Sequence, residues 1–341
     1  YTLILPNAGF GDLLIKNGQA KKENILYFHN ESTNFTSHDY LSHLKWANFF
    51  KLLAAHSYPA PRKTKINRLK GDKNVAYVKP EEIVENMLQA GAKKAGLSVK
   101  NLLLRGFLAG AFLGYATTLA ILAATQTGFG IVGALVFPVG FVMIVLLGLE
   151  LATGNFALIP IAVKDKRARI GALLYNWTWV LIGNLIGSIS YAFLYMIVTT
   201  KMGHIDPSTI AAAQRLIDIA ETKTLGYAQY DFDGTISAFT SALLCNWMVT
   251  LGAVMAFTST TTSGKVIAMW LPIMTFFALG YEHAIVNMFL IPAGIMLGAN
   301  ITIAEWWLWN GLPVIAGNIV GGMLFTGFML YWAFNINKKN H

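Results

Sequence analysis

Gly148-Leu-Glu-Leu-Ala-Thr-Gly-Asn-Phe-Ala-Leu-Ile-Pro160 and Gly280-Tyr-Glu-His-Ala-Ile-Val-Asn-Met-Phe-Leu-Ile-Pro292 read as two copies of one segment. Seven of the thirteen positions are identical, where chance would give about one. A second pair, Gly183-Asn-Leu-Ile-Gly187 and Gly317-Asn-Ile-Val-Gly321, lies at nearly the same offset. The chain therefore reads as two duplicated halves.

The surroundings of these segments are those of a lipid-embedded protein. Hydrophobic residues make up 55% of the 341 positions and charged residues 13%, about half the charged share of ordinary soluble domains. Apolar runs of membrane-crossing length predict an all-α integral membrane protein with six passages, near 106–125, 131–160, 170–198, 236–258, 266–292 and 310–334. Basic residues gather in the flank Lys93, Lys94, Lys100 and Arg105, in the connection Lys164 to Arg169, and in the tail Asn337-Lys338-Lys339. The positive-inside rule puts all three in the cytoplasm, with both termini. The connection 201–234, richer in acidic than basic residues, falls outside.

Three passages per half is an odd number, so the second half must run through the membrane in the opposite sense, as an inverted repeat. Backbone breaks in such folds mark the substrate path, because unwound chain is tolerated only where it is buried or lines a cavity. The two signature segments predict broken helices in passages two and five. In the first copy Thr153, Gly154 and Asn155 would weaken a helix, and Glu150, Asn155, Glu282 and Asn287 can hydrogen-bond freed backbone groups. Whether the glutamates do more than clamp the fold is left open by the sequence. Glycines spaced by four, namely Gly106, Gly110 and Gly114, Gly183 with Gly187, and Gly317 with Gly321, predict close helix contacts.

One position departs from the repeat: Leu151 in the first copy is matched by His283 in the second. Of seven histidines only this one falls within a predicted passage, and an ionisable group at membrane depth is by default a functional candidate. An imidazole beside a broken helix can hydrogen-bond an anion or lend it a proton; a neutral ring satisfied by a carbonyl is the structural alternative. Lys265 offers either a positive field that draws anions inward or a positive-inside anchor. Phe137, Phe141, Leu151 and Phe276 are candidates for constrictions that exclude water, or for plain core packing.

Composition also excludes. The lone cysteine, Cys245, sits in an apolar run, so no disulfide framework or cysteine metal site is expected. A net charge of +9 sits in flanks and loops, where it orients the chain and meets lipid head groups instead of nucleic acid. No cluster of His and carboxylates has metal-ligand spacing in the passages, so neither an enzyme nor a cofactor is expected. The chain starts at Tyr1, which leaves processing or truncation open, and no signal-peptide pattern is read.

Gly280-Tyr-Glu-His-Ala-Ile-Val-Asn-Met-Phe-Leu-Ile-Pro292 resembles the formate/nitrite transporter family, as do Gly148 to Asn155, Asn246-Trp-Met-Val249, Lys265 to Pro272 and Leu312-Pro-Val-Ile-Ala-Gly-Asn318. The resemblance covers about 77–337. It implies an aquaporin-like protomer, a homopentamer with one pore per subunit, and passage of formate, nitrite, hydrosulfide or related weak-acid anions across the plasma (inner) membrane. By the same resemblance His283 matches the family's central histidine and Thr153 its partner. Asn246 and Asn287 match polar positions nearby. Phe137, Phe276 and Leu151 match constriction residues, and Phe141 stands where some members have leucine. Ala152-Thr-Gly and Val249-Thr-Leu-Gly depart from the usual strings, so substrate preference does not transfer from any one member. The helix expected at Pro80 to Leu88 and beyond is one that helps gate the pore in the family.

The expected organisation is an N-terminal cytoplasmic extension over 1–76, a transport domain over 77–337 and a short tail over 338–341. The extension carries Arg62-Lys-Thr-Lys65, reads either as partly helical around 40–55 or as a poorly ordered tail, and holds two glycosylation acceptor patterns at Asn30 and Asn34 that a cytoplasmic location would leave inert. Two other transport readings stay open. A proton-coupled secondary carrier is the nearer; a neutral-solute channel is the other, although paired Asn-Pro-Ala motifs are absent.

Overall fold

The computed structural model describes residues 76–335; the expectations for the extension, its acceptor patterns and the tail from Ile336 onward lie outside the described residues. The described chain is helical. Helix α1, Pro80–Ala95, opens with proline in its first turn followed by Glu81 and Glu82, and closes with Lys93 and Lys94. That arrangement sets the right charge at each end of the helix dipole. Its Val84, Met87, Leu88 and Gly91 are buried, the i, i+3, i+4, i+7 stripe of an amphipathic helix.

Four helices are long and apolar enough to cross a membrane: α2 (Val99–Thr127), α5 (Ile170–Thr200), α8 (Asp231–Thr258) and α11 (Ile303–Phe334). Shorter apolar helices lie between them. These are α3 (Gly130–Leu146), which is interrupted at Phe137, α4 (Ala152–Lys164), α9 (Thr262–Ala278) and α10 (Ala284–Leu297). The connection 201–234 folds into α6 (Ala211–Thr222) and the single turn α7 (Leu225–Ala228).

The stretches 131–160 and 266–292, expected as broken passages, are interrupted within the two signature segments, between Leu146 and Ala152 and between Ala278 and Ala284. The first break runs over 147–151, ahead of Thr153, Gly154 and Asn155, which sit in the first turn of α4. Local weakness of those three residues is therefore not what breaks the helix. The break begins at Gly148, whose φ of 65° is left-handed, and its counterpart Gly280 has φ 69°. Only glycine adopts that conformation without strain, so the first residue of each repeat copy is a turn requirement.

Packing repeats as the sequence does. Helix α2 lies along α5 as α8 lies along α11, α4 meets α11 as α10 meets α5, and amphipathic α1 covers α4 as amphipathic α6 covers α10. The glycine faces explain how closely the long helices approach. A Cβ on Gly110 or Gly187 would collide with the backbone of Asn184 or Phe107 across the α2–α5 contact, and one on Gly317 or Gly321 with the backbone of Phe239 or Leu243 across α8–α11. Because backbone cannot yield as a side chain can, Gly187→Leu should destabilise the protein by about 1–3 kcal/mol or more. A fall in detergent-solubilised thermal midpoint relative to Gly171→Leu, where added atoms meet open space, checks this; equal midpoints would refute the close-contact account.

Candidate functional site

After each left-handed glycine the chain turns back and starts a new helix. Leu151 and His283 are the residues before α4 and α10, with matching extended backbones of φ −112°, ψ 119° and φ −113°, ψ 117°. Both new helices therefore begin inside the protein, with first-turn N–H groups that need partners from outside the helix and the positive ends of their dipoles buried.

The exposed backbone is held by two asparagines from the second repeated motif. Asn184 Oδ1 accepts from the Ala152 N–H (3.0 Å) while its Nδ2 donates to the carbonyls of Gly106 (2.8 Å) and Glu150 (2.9 Å). Asn318 does the same in the other half, taking Ala284 N–H (2.8 Å) and donating to Ala242 (2.7 Å) and Glu282 (3.0 Å). This corrects the expectation that Glu150, Asn155, Glu282 and Asn287 clamp freed backbone. Those four are occupied with side chains instead.

Buried Glu150 pairs with Lys94 at 3.0 Å and accepts from Asn155 at 2.9 Å, and Asn155 also donates to Asn176 at 2.9 Å. Buried Glu282 pairs with Lys223 at 2.6 Å and accepts from Asn287 at 2.7 Å, and Asn287 also donates to Asn310 at 2.9 Å. The Tyr227 hydroxyl donates to Glu282 at 3.0 Å; burial, then the adjacent carboxylate, pushes that phenol's pKa up. Lysine, glutamate and two asparagines form the same chain in each half, anchored by Asn176 and Asn310 on the Lys94 and Lys223 carbonyls. Sequence reasoning did not single out Lys223, Asn176, Asn184, Asn310 or Asn318. The available signal was the Gly-Asn-x-x-Gly pair, read as a repeat and for its glycines but not for its asparagines.

Two cavities adjoin this frame. One, of about 240 Å³, is lined by Lys93, Lys94, Arg105, Phe141, Glu150 and Leu151 among others, and reaches Gly154 and Asn155. The second, of about 250 Å³, is lined by Arg215, Lys223, Phe276, His283 and Asn287 with apolar neighbours. Cationic side chains outnumber carboxylates in both linings, and two helix N-termini add partial positive charge, so the field at each favours an anion.

A buried polar contact joins Thr153, next to Gly154 of the first lining, to His283 of the second. Thr153 Oγ1 and His283 Nε2 are 3.0 Å apart, with residue exposures of 0% and 2%. The other ring nitrogen, Nδ1, accepts the Val286 backbone N–H at 3.1 Å. A nitrogen that accepts carries no proton, so in the neutral ring the hydrogen is on Nε2 and is donated to Thr153. His283 is satisfied by an N–H and a hydroxyl, not by a carbonyl. Asn246 ties the start of α4 to α11 by donating to the Thr153 carbonyl (3.1 Å) and the Asn318 carbonyl (2.6 Å).

The constriction candidates separate on inspection. Phe141 and Leu151 border the first cavity and Phe276 the second; Phe276 also stacks on His283, with centroids 5.6 Å apart. Phe137 lines neither. It is fully buried against Phe277 (3.9 Å, stacked) and Phe276 (5.7 Å, edge to face). Lys265 lies half-buried in the first turn of α9 and is not among the residues lining either cavity.

A family model described as formate/nitrite transporter matches residues 81–332. The chain belongs to that family. As a formate/nitrite transporter family member with four helices of membrane-crossing length, it is an integral membrane protein. Its relatives include the uncharacterized transporter YrhG of Bacillus subtilis, 36% identical across 78% of this chain and 97% of the relative. The probable formate transporter of Methanothermobacter thermautotrophicus is 37% identical across 66% of this chain and 85% of its own length. Among solved structures, a pentameric formate channel with formate bound superposes with a TM-score of 0.55 at 28% identity, covering 70% of this chain and 98% of that one. The family match encloses the whole frame of Lys94, Glu150, Thr153, Lys223, Glu282 and His283.

Proposed function

We propose that this chain is a channel for small monovalent weak-acid anions, formate and nitrite foremost, and that they cross the Thr153–His283 contact between the two cavities. The observation that carries the reading is a buried imidazole, hydrogen-bonded to Thr153, in an electropositive cavity bordered by Phe276, together with a second electropositive cavity bordered by Phe141 and Leu151. Positive linings and helix N-termini gather the anion. The apolar seals then disfavour its charge and exclude hydrated cations. His283 Nε2–H is the group placed to donate a hydrogen bond, or a proton, to the anion as it loses its water.

In this reading the transport domain over 77–337 crosses the membrane six times as two inverted three-passage repeats in an aquaporin-like protomer. The break pairs of 147–151 and 279–283 lie near the midplane. Basic Lys164 to Arg169 puts both termini of the domain, with the extension over 1–76 and the tail over 338–341, in the cytoplasm of a cell bounded by that plasma membrane. Five copies, each with its own pore, form the assembly, as the pentameric formate channel it resembles does. A proton-coupled carrier for formate, nitrite, hydrosulfide or bicarbonate is the alternative that the same residues would serve. Lys265 acts in the pathway only as a distant positive charge.

Proteoliposomes distinguish the anion reading from a neutral-solute channel. Expected is uptake of formate and nitrite well above empty vesicles with no accelerated swelling in a glycerol gradient; glycerol swelling without anion uptake would sink the proposal.

A further inference from the structure

The cavity that holds His283 has an outer cation that the transport frame leaves unused. Arg215, Ile219 and Lys223 recur every four residues along α6 and its C-terminal end, and all three line that cavity, as one helix face should. Lys223 is spent on Glu282. Arg215 stands two turns away, about 12 Å along the axis, and is solvent-exposed. It also borders two shallow surface hollows, one beside Ser208 and Thr209 and one beside Thr222 and Gly226. The same side chain therefore touches the surface and the interior cavity.

Its charge is unmatched. The ion pairs within 4.0 Å among the described residues are Lys94–Glu150, Arg167–Glu85, Arg167–Asp165 and Lys223–Glu282, and Arg215 is in none of them. Asp218, which shares both hollows with it, instead accepts from Gln214 Nε2 at 2.7 Å. A guanidinium differs from an ammonium in its fixed fork of N–H donors, which matches two oxygens held on one planar centre.

We propose that Arg215 is a specificity-determining residue at the mouth of the His283 cavity, where its guanidinium binds planar two-oxygen anions of the formate and nitrite kind in bidentate fashion before they enter. This rests on the anion-channel reading above. Monatomic anions and hydrosulfide feel the charge but cannot use the fork, so Arg215 separates the two classes, whereas the buried seals act on both.

The test is initial uptake of formate and of hydrosulfide, at concentrations below saturation, into proteoliposomes of defined orientation carrying wild type, Arg215→Lys or Arg215→Gln. An exposed site makes both variants compatible with folding. With lysine, which keeps the charge, formate entry should fall about threefold to tenfold while hydrosulfide entry changes less than about twofold. With glutamine both should fall. An unchanged formate-to-hydrosulfide ratio in Arg215→Lys overturns the inference while leaving the channel reading in place. Wild-type formate uptake no greater than in empty vesicles defeats the channel reading, and this inference with it.

Discussion

Replacing Leu151 and Phe276 together by alanine is expected to admit carboxylates larger than formate, raising acetate and lactate uptake about tenfold or more over wild type. Both side chains are almost completely buried, one bordering each cavity. Alanine at these positions removes the apolar walls that make entry of a hydrated or bulky anion costly, and joins two cavities of similar size into one wet passage. Phe137→Ala should behave differently, because that ring lines neither cavity and supports Phe276 from behind. Its main effect is on stability, about 3–5 kcal/mol. Uptake rates for formate, acetate and lactate in the same vesicles check the claim, and a size cut-off unmoved in the double variant would place the seal elsewhere.

Glu282→Ala is expected to be among the most destabilising single changes in the protein, at about 3–5 kcal/mol. The carboxylate is 2% exposed on its side chain and holds Lys223, Tyr227, Asn287 and Asn310 at 2.6, 3.0, 2.7 and 3.1 Å. Removing it leaves the Lys223 ammonium, itself only 15% exposed, without its counter-charge, and strands buried amide donors. Glu282→Gln keeps the shape and much of the hydrogen bonding, and Lys223→Met with Glu282→Gln removes both charges, so the double variant should recover a good part of the loss. Thermal midpoints of wild type, Glu282→Ala, Glu282→Gln, Lys223→Met and the double variant in one detergent test this. Additive losses would mean that the pair is not coupled.

What the sequence conveyed and what it hid follow from how each feature is encoded. The repeat was legible because both copies must make the same turn at Gly148 and Gly280 and pack the same buried face. His283 stood out because it breaks that symmetry. The glycine faces were legible from spacing, and backbone contacts across α2–α5 and α8–α11 account for them. The break falls inside the signature segment as read, but the reason offered, weak helix formers at Thr153 to Asn155, does not hold, because the break is made at a left-handed glycine in each copy and held from α5 and α11 by Asn184 and Asn318. Those asparagines resemble any polar residue in an apolar run until folding brings them, 32 and 34 residues on, against the chain they hold. Lys223 was missed for a related reason. Helix α6 repeats the place of α1 in the packing but shares little of its sequence, so the lysine at its end was read as part of a connection. Arg167 shows the limit of charge reading in the other direction. Grouped with the basic residues that set orientation, it also bonds Glu85 on α1 at 2.7 Å and Asp165 at 2.7 Å, and those carboxylates, Glu85 foremost, raise its pKa.

The most direct test of the account is formate uptake into proteoliposomes from pH 4 to pH 8, with wild type beside His283→Ala. Passage through an apolar seal requires that the anion's charge be neutralised, so wild-type uptake should rise as the pH falls. Without the imidazole, uptake at the acidic end should drop at least about tenfold and its dependence on pH should flatten. The same rates and the same pH profile in both proteins would contradict a pathway through the Thr153–His283 contact.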